Sequence, residues 1–388
     1  MEKSSTFTKP SVCFVHDWLV TMRGGEKVLE AMCELYPDAP IFTLIANRKN
    51  LSPLLQSRKI YTSFLQWIPG IEKIYRYFLL LFPLAIKSLN IKEYDLVISS
   101  SHCVAKAAAK RKDATHVCYC HTPMRYLWGF EEEYLGGFPK MLRSMVKLYF
   151  KFLKRWDVET SKNVDVFIAN SKNTANKIKD IYAQESIVIH PPIDDYSEKN
   201  VSRKREGNYY LLVSAMVQYK RIDLALEAFN QMKLPLVVIG DGPLMEQLRN
   251  AAHFDGIRFE GWVSTEKLWE YYQNCKALIF PGEEDFGIVP LEAQMCGKPV
   301  IAYGKGGILE TVIPYRESIR NDETCTGIFF SKPSVESLIE SIRKSQKTVF
   351  NSDSIRSHAA GFAKQRFKKE VSMLLEDLVK KGETSVPF

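Results

Sequence analysis

The sequence predicts an α/β protein of two doubly wound domains, and three observations carry that prediction. Short β-rich runs alternate with helix-length amphipathic segments from end to end. The alternation breaks once, near the middle. The chain has 388 residues, which at roughly 150 residues per domain suits two domains. Strand–helix alternation of this kind builds a parallel sheet covered by helices on both faces.

Taken in order, the first half offers strands at 12–15 (VCFV), 94–99, 115–120, 164–169 and 186–190. Helical periodicity lies between them, for example over 26–36 and 171–182. Residues 190–208, HPPIDDYSEKNVSRKREGN, are polar, hold Pro191-Pro192 and have no apolar periodicity, and they read as the interdomain linker. The second half repeats the theme with strands at 209–213, 236–240, 257–260, 276–280, 299–302 and 327–330. A last helix near 364–381 has no following strand and is free to pack elsewhere. The expected divisions are a first domain over 1–195, a second over 205–365, and a C-terminal helix over 366–388 that can pack back on the first.

Composition narrows the class. Apolar residues make up 46% and charged residues 25%, ordinary for a globular chain and unlike a disordered or coiled-coil one. The longest apolar run, Tyr77 to Ile86, is half of what a bilayer-spanning helix needs, about 20 residues. MEKSSTFTKP has no apolar segment behind its charges, so no secretory signal is expected. The eight cysteines then read as reduced, cytosolic thiols. Net charge is +8, and +7 of it falls in residues 1–196. That half is expected to meet something anionic: a phospholipid surface, a diphosphate-bearing acceptor, or nucleic acid.

The strongest local signal is Glu284-Asp285-Phe286-Gly287-Ile288-Val289-Pro290-Leu291-Glu292. It follows the strand KALIF, at the strand end where open α/β sheets bind ligands. Glu284 falls in the turn and Glu292 about a turn and a half into the next helix. Two carboxylates so placed can accept hydrogen bonds from hydroxyls of one elongated ligand. The N–H groups of Phe286, Gly287 and Ile288 suit an anion. An acidic N-cap is the plainer reading of the same residues. Lys220 and Arg221 sit at another strand-to-helix transition, where cations neutralise phosphates or are merely solvated. Gly240-Asp241-Gly242 and Gly304-Lys305-Gly306-Gly307 are glycine turns expected to let backbone approach a ligand. Neither completes G-x-G-x-x-G, which argues against a nicotinamide or flavin cofactor.

In the first half, Val15-His16-Asp17-Trp18 ends the first strand, and Gly24-Gly25 precedes a helix as a phosphate contact or a tight turn. His121 follows the strand THVCYC. Strand alternation splits Cys118, Cys120 and His121 between two faces, and no second ligand pair follows, so zinc is set aside. Residues 140–155, KMLRSMVKLYFKFLKR, hold six basic residues and no acidic one. Lys140, Arg143, Lys147, Lys151 and Lys154 form one helical stripe, and Leu142, Met145, Val146, Tyr149, Phe152 and Leu153 another. A basic amphipathic helix suits an anionic leaflet, with residues 74–84 joining it. An ordinary surface helix is the plainer reading. Nucleic acid is disfavoured because no stacking platform stands beside the stripe.

These residues resemble those of a known family. Glu284-x7-Glu292, with Phe286-Gly287 inside it, looks like the E-x7-E signature of family 4 retaining glycosyltransferases. VHDWL, RGGE, CHTPMRYLW, SKNTANKI, VIHPPID, YKRIDLALEAF, GDGP, FEGWVS and YGKGGILET fall in that family's order over nearly the whole chain. Within it, the chain is similar to bacterial mannosyltransferases that build O-antigen and other surface polysaccharides, including lipopolysaccharide, from GDP-mannose. The resemblance implies a GT-B fold, two Rossmann-like domains facing across a cleft. It implies that Glu284 contacts donor-sugar hydroxyls, Glu292 the ribose, and Phe286, Gly287 and Ile288 the sugar and diphosphate through backbone. It further implies that Lys220 stabilises the departing diphosphate, that Trp262 and Val263 lie by the base, that Gly24 and Gly25 close on the diphosphate, and that His121 sits by the transferred sugar.

One departure matters. Ala215 stands where many members carry arginine, so Arg221 or another cation compensates, or phosphate binding is weaker. The resulting expectation is a hexosyltransferase without metal or other cofactor. Its donor is a nucleotide sugar, and its acceptor is a polyprenyl-diphosphate-linked oligosaccharide at the inner, anionic membrane surface. The protein itself is expected to be cytoplasmic and peripheral to that membrane. The alternatives are a transferase using a UDP- or TDP-sugar, a GT-B phosphorylase or epimerase, and a catalytically weakened membrane-associated binding module.

Overall fold

The computed structural model describes residues 10–129, 131, 135, 140–194, 207–317 and 324–384. Most of the linker expected at 190–208 lies outside the described residues. The chain divides into two compact units, 1–190 with 367–388, and 191–366.

The first unit is built on a sheet that is parallel throughout. Its strands are β1 (Val12–His16), β2 (Ile41–Thr43), β3 (Ile60–Thr62), β4 (Leu96–Ser101), β5 (Thr115–Cys120), β6 (Val166–Ala169) and β7 (Ser186–Val188). Their spatial order is β3-β2-β1-β4-β5-β6-β7. β1 and β4 are buried along their whole length, as strands covered on both faces must be. β2 and β3 go beyond the sequence-based reading. They are three residues each, and IYT is only half-buried, so they lack an apolar run long enough to stand out.

The helix Lys140–Ser161 packs on this unit through Val146, Phe150 and Leu153. Near its C-terminal end, Asp157 is fully buried and holds three partners. Lys106 Nζ lies 2.9 Å from one oxygen. Trp128 Nε1 and the Tyr182 hydroxyl donate to the other at 2.8 and 2.9 Å. Lys154, expected in the basic stripe, is instead paired with Glu131 at 2.5 Å and lies over the Trp128 ring. The expected single apolar stripe divides as well: Val146 and Leu153 are buried, whereas Met145 and Phe152 are exposed. The side chains of Lys140 and Leu142 lie outside the described residues. The last helix, Lys364–Thr384, puts Phe367, Val371 and Leu375 into the same core as Phe14 and Tyr119.

The second unit repeats the architecture with β8 (Tyr210–Val213), β9 (Leu236–Ile239), β10 (Ile257–Gly261), β11 (Leu278–Phe280), β12 (Val300–Tyr303) and β13 (Gly327–Phe330). The order is β10-β9-β8-β11-β12-β13, again parallel throughout. In both sheets, strand order reverses direction beside the first strand, the crevice position at which doubly wound sheets bind ligands.

Candidate functional site

In the second unit, two loops at the carboxyl ends of neighbouring strands meet. β8 runs through Ser214–Val217 to a single 3₁₀ turn, Gln218–Lys220, and then to the helix Ile222–Met232. β11 runs through Pro281-Gly282 to Glu284 and the helix Ile288–Met295. Lys220 Nζ donates to Glu284 Oε1, and both side chains are largely shielded from solvent. Gly282 permits this approach. A β-carbon there would lie 2.8 Å from Lys220 Cα and 2.9 Å from the Tyr219 carbonyl oxygen, closer than packed atoms allow.

The loop after β12 fixes Glu284 from the other side. Gly307 N–H donates to the Glu284 carbonyl at 2.8 Å, and a β-carbon on Gly307 would stand 2.2 Å from the Asp285 carbonyl oxygen. Gly240 receives Ser214 in the same manner. Gly240, Gly242, Gly306 and Gly307 of the two glycine turns each lie against protein backbone, and they set the position of the two charged loops.

Arg221 is the left-handed residue that opens Ile222–Met232, with φ +52. Its guanidinium Nε and Nη2 donate to Asp223 at 3.2 Å, which pairs it with the first turn of its own helix. The helix Ile288–Met295 starts at Gly287, φ +95, with no side-chain cap. Phe286 is buried against Phe362. Glu292 is buried and accepts the Tyr272 hydroxyl at 2.9 Å. Burial, and then the Glu292 carboxylate, push the Tyr272 phenol well above its ordinary range, so it remains a donor to Glu292. Trp262, just past β10, is 82% exposed, and Val263 packs partly on the core beneath it. A cation, hydroxyl acceptors, a helix N-terminus and an exposed indole at one sheet edge suit a ligand with phosphate, hydroxyls and an aromatic ring.

In the first unit, Gly24 and Gly25 open the helix Gly24–Cys33 after β1. Two imidazoles overlie them: a β-carbon on Gly25 would touch His121 Nε2 at 3.6 Å and His16 Cε1 at 3.7 Å. His121 Nε2 shares a hydrogen bond with Ser100 Oγ at 2.9 Å. Burial pushes His16 and His102 down to about 3, so both are neutral donors and acceptors at ordinary pH. Glu26 accepts the Arg23 N–H at 3.0 Å, and burial pushes its carboxyl up to about 7. Asp17 is fully buried beneath this cluster. It accepts the backbone N–H groups of His102, Cys103, Val104 and Ala105 at 2.6–2.9 Å.

Within each unit, then, the structure joins Lys220 to Glu284 and His121 to Gly25. Sequence reasoning missed Tyr272 and Ser100. It met Asp17 and Glu26 only inside the VHDWL and RGGE stretches and gave neither a role.

A family model described as Glycosyltransferase Family 4 matches residues 22–196, and one described as Glycosyl transferases group 1 matches residues 194–348. The O-antigen chain mannosyltransferase C of Escherichia coli is 27% identical over 175 residues, covering 41% of this chain and 46% of that one. The alpha-1,3/1,6-mannosyltransferase ALG2 of Kluyveromyces lactis is 25% identical over 288 residues, covering 60% and 55%. The chain thus spans about half the length of these curated relatives. The crystal structure of Anabaena HepE in complex with UDP superposes with a TM-score of 0.66 at 17% identity, over 95% of this chain and 100% of that one. Matched in order through both halves, this chain belongs to glycosyltransferase family 4 and has its two-domain GT-B fold.

Proposed function

We propose that the protein is a retaining glycosyltransferase that moves a hexose, mannose from GDP-mannose foremost, onto a lipid-linked oligosaccharide in surface-polysaccharide synthesis. The observation that carries this reading is the Lys220–Glu284 pair, held at the sheet edge by glycine contacts. The mannosyltransferases among the relatives favour mannose over other sugars.

In this reading, the donor diphosphate takes Lys220 as its counter-ion, which frees Glu284 to accept sugar hydroxyls. Glu292, steadied by Tyr272, accepts the ribose hydroxyls. Trp262 and Val263 flank the base, and Phe286, Gly287 and Ile288 offer backbone N–H groups to the diphosphate. Within the first domain, Gly24 and Gly25 are the proposed contacts to a diphosphate and His121 to a sugar hydroxyl. The anomeric carbon–phosphate oxygen bond breaks as the acceptor oxygen bonds to the same face. The acceptor proton passes to the departing phosphate oxygen, so no protein nucleophile is needed. The stabilisation is electrostatic, from groups already in place before reaction.

The acceptor's lipid would bring the protein to the inner, anionic face of the cell membrane, where the basic first domain meets it. Among the described residues no helix is long and apolar enough to cross a membrane. Thermal shift with GDP-, UDP- and TDP-sugars tests the donor, because a bound donor raises apparent stability by mass action. A shift with GDP-mannose, and transfer to a polyprenyl-diphosphate glycan with retained configuration, are the expected results. Arg221 bonded to Asp223 favours one second reading, a binding module with weakened diphosphate affinity. Donor binding without transfer or hydrolysis would establish it.

A further inference from the structure

The helix Lys140–Ser161 buries one line of side chains in the core of its unit. Val146, Phe150, Leu153 and Asp157 are buried. On another line, Met141, Met145, Leu148 and Phe152 recur at four, three and four residues, the spacing of a single helical stripe. Their exposures are 91, 69, 70 and 54%. Between these lines stand Lys147, Lys151 and Arg155, all exposed. A soluble surface helix puts polar residues opposite its buried face; this one puts four large apolar side chains there.

The stripe continues onto a second segment of the same unit. The Tyr149 hydroxyl donates to the Leu80 carbonyl at 2.7 Å, and the Tyr149 ring lies 5.6 Å from that of Phe152. Around Leu80, Tyr77, Leu81 and Leu84 are also exposed. Lys73, Arg76 and Lys87 flank that segment and are exposed as well. An exposed apolar patch of this extent, with Lys73, Arg76, Lys87, Lys147, Lys151 and Arg155 exposed along it, marks an interaction site.

We infer that these two segments form an insertion wedge. The exposed apolar residues of 141–152 and 77–84 enter the headgroup–acyl boundary of an anionic bilayer, and the flanking cations lie on its phosphates. This rests on the membrane partner proposed above and deepens it, replacing charge attraction alone with burial of apolar side chains. The charge pattern selects the occupant. A second copy docked through this face would bring Lys147 and Lys151 against their own like charges, whereas an anionic leaflet complements both the stripe and the cations along it.

The test uses flotation of the full chain with vesicles of phosphatidylcholine and phosphatidylglycerol, and of phosphatidylcholine alone, at low salt and at 0.5 M salt. Wild type should bind the mixed vesicles and keep part of that binding at high salt. Leu148→Ser with Phe152→Ser should lower the salt-resistant part at least tenfold at unchanged Tm. Lys147→Glu with Lys151→Glu should abolish low-salt binding to the mixed vesicles. Serine variants that bind like wild type at high salt would overturn the wedge while leaving charge-driven membrane binding intact. Wild type that floats with neither vesicle would overturn both readings. Serine variants that turn a wild-type dimer into a monomer in sedimentation would assign the face to a second copy and overturn the wedge.

Discussion

Asp17 holds His102 twice, accepting its backbone N–H at 2.7 Å and lying 3.1 Å from its Nδ1. Together with the N–H groups of residues 103–105, this gives one buried carboxylate four backbone donors and a ring nitrogen. Asp17→Asn keeps the shape but turns one acceptor into an NH₂ group facing N–H donors. The variant should lose about 3 kcal/mol or more of stability, since hydrogen bonds to a charged group contribute about 1.5–3 kcal/mol each. Denaturant unfolding followed by circular dichroism checks this, and unchanged stability would show that the turn holds itself.

In the proposed reading both Glu284 and Lys220 act on the reacting end of the donor, so Glu284→Ala and Lys220→Ala should each lower kcat/KM with GDP-mannose by about 100-fold or more. The double variant should lose much less than the product of the two, as bonded partners do not act independently. Steady-state kinetics on the four proteins reads the coupling. Full additivity would mean that the pair acts as two separate contacts.

Tyr272→Phe removes the hydroxyl that Glu292 accepts without changing the packing of the ring. In the proposed reading Glu292 meets the ribose, which does not change during the reaction, so donor KM should rise about tenfold while kcat holds. A fall in kcat at constant KM would place Glu292 on the reacting sugar instead.

Gly307→Ala forces a methyl group to within 2.2 Å of the Asp285 carbonyl oxygen. The Glu284 loop must shift. Activity should fall about tenfold or more, a loss displaced catalytic groups commonly cause. Gly261→Ala, at a left-handed turn with open space around it, should cost stability of about 1 kcal/mol and leave the Glu284 loop in place. Kinetics and melting curves of the two variants separate these effects.

His116 is fully buried, bonded to Ser99 Oγ at 2.8 Å, and burial pushes its imidazole down to about 4. The unfolded chain takes up that proton near pH 6.5, and the folded chain refuses it until about pH 4. Stability is therefore lost as pH falls through that window, at about 1.4 kcal/mol per pH unit for one proton. His116→Gln should flatten the stability–pH slope between pH 4 and 6.5 by about one proton. An unchanged slope would mean that His116 is not the group that titrates.

The fold was legible where strands are long and apolar. VCFVH and THVCYC announce β1 and β5, whereas IFT and IYT are too short to rise above their surroundings. The positions of Lys220 and Glu284 were legible as strand-end residues. Their bond was not, because it joins two loops far apart in sequence that meet only where Gly282 and Gly307 leave room for backbone. The pairing of Lys154 with Glu131 was hidden for a related reason: the counter-charge lies outside the basic run. The apolar residues of 142–153 read as one face because hydrophobicity records what a side chain is, and only packing decides which of two apolar lines is covered.

Phe367, Val371 and Leu375 complete a core whose other members include Phe14 and Val28. The order in which a ribosome emits the chain gives this a consequence. The first domain's sheet is synthesised early, yet one side of its core stays uncovered while the whole second domain emerges. The helix Lys364–Thr384 then covers it. A chain stalled or clipped before residue 367 would present that open apolar face to chaperones and proteases, so the core of the first domain closes only after the second domain has been made.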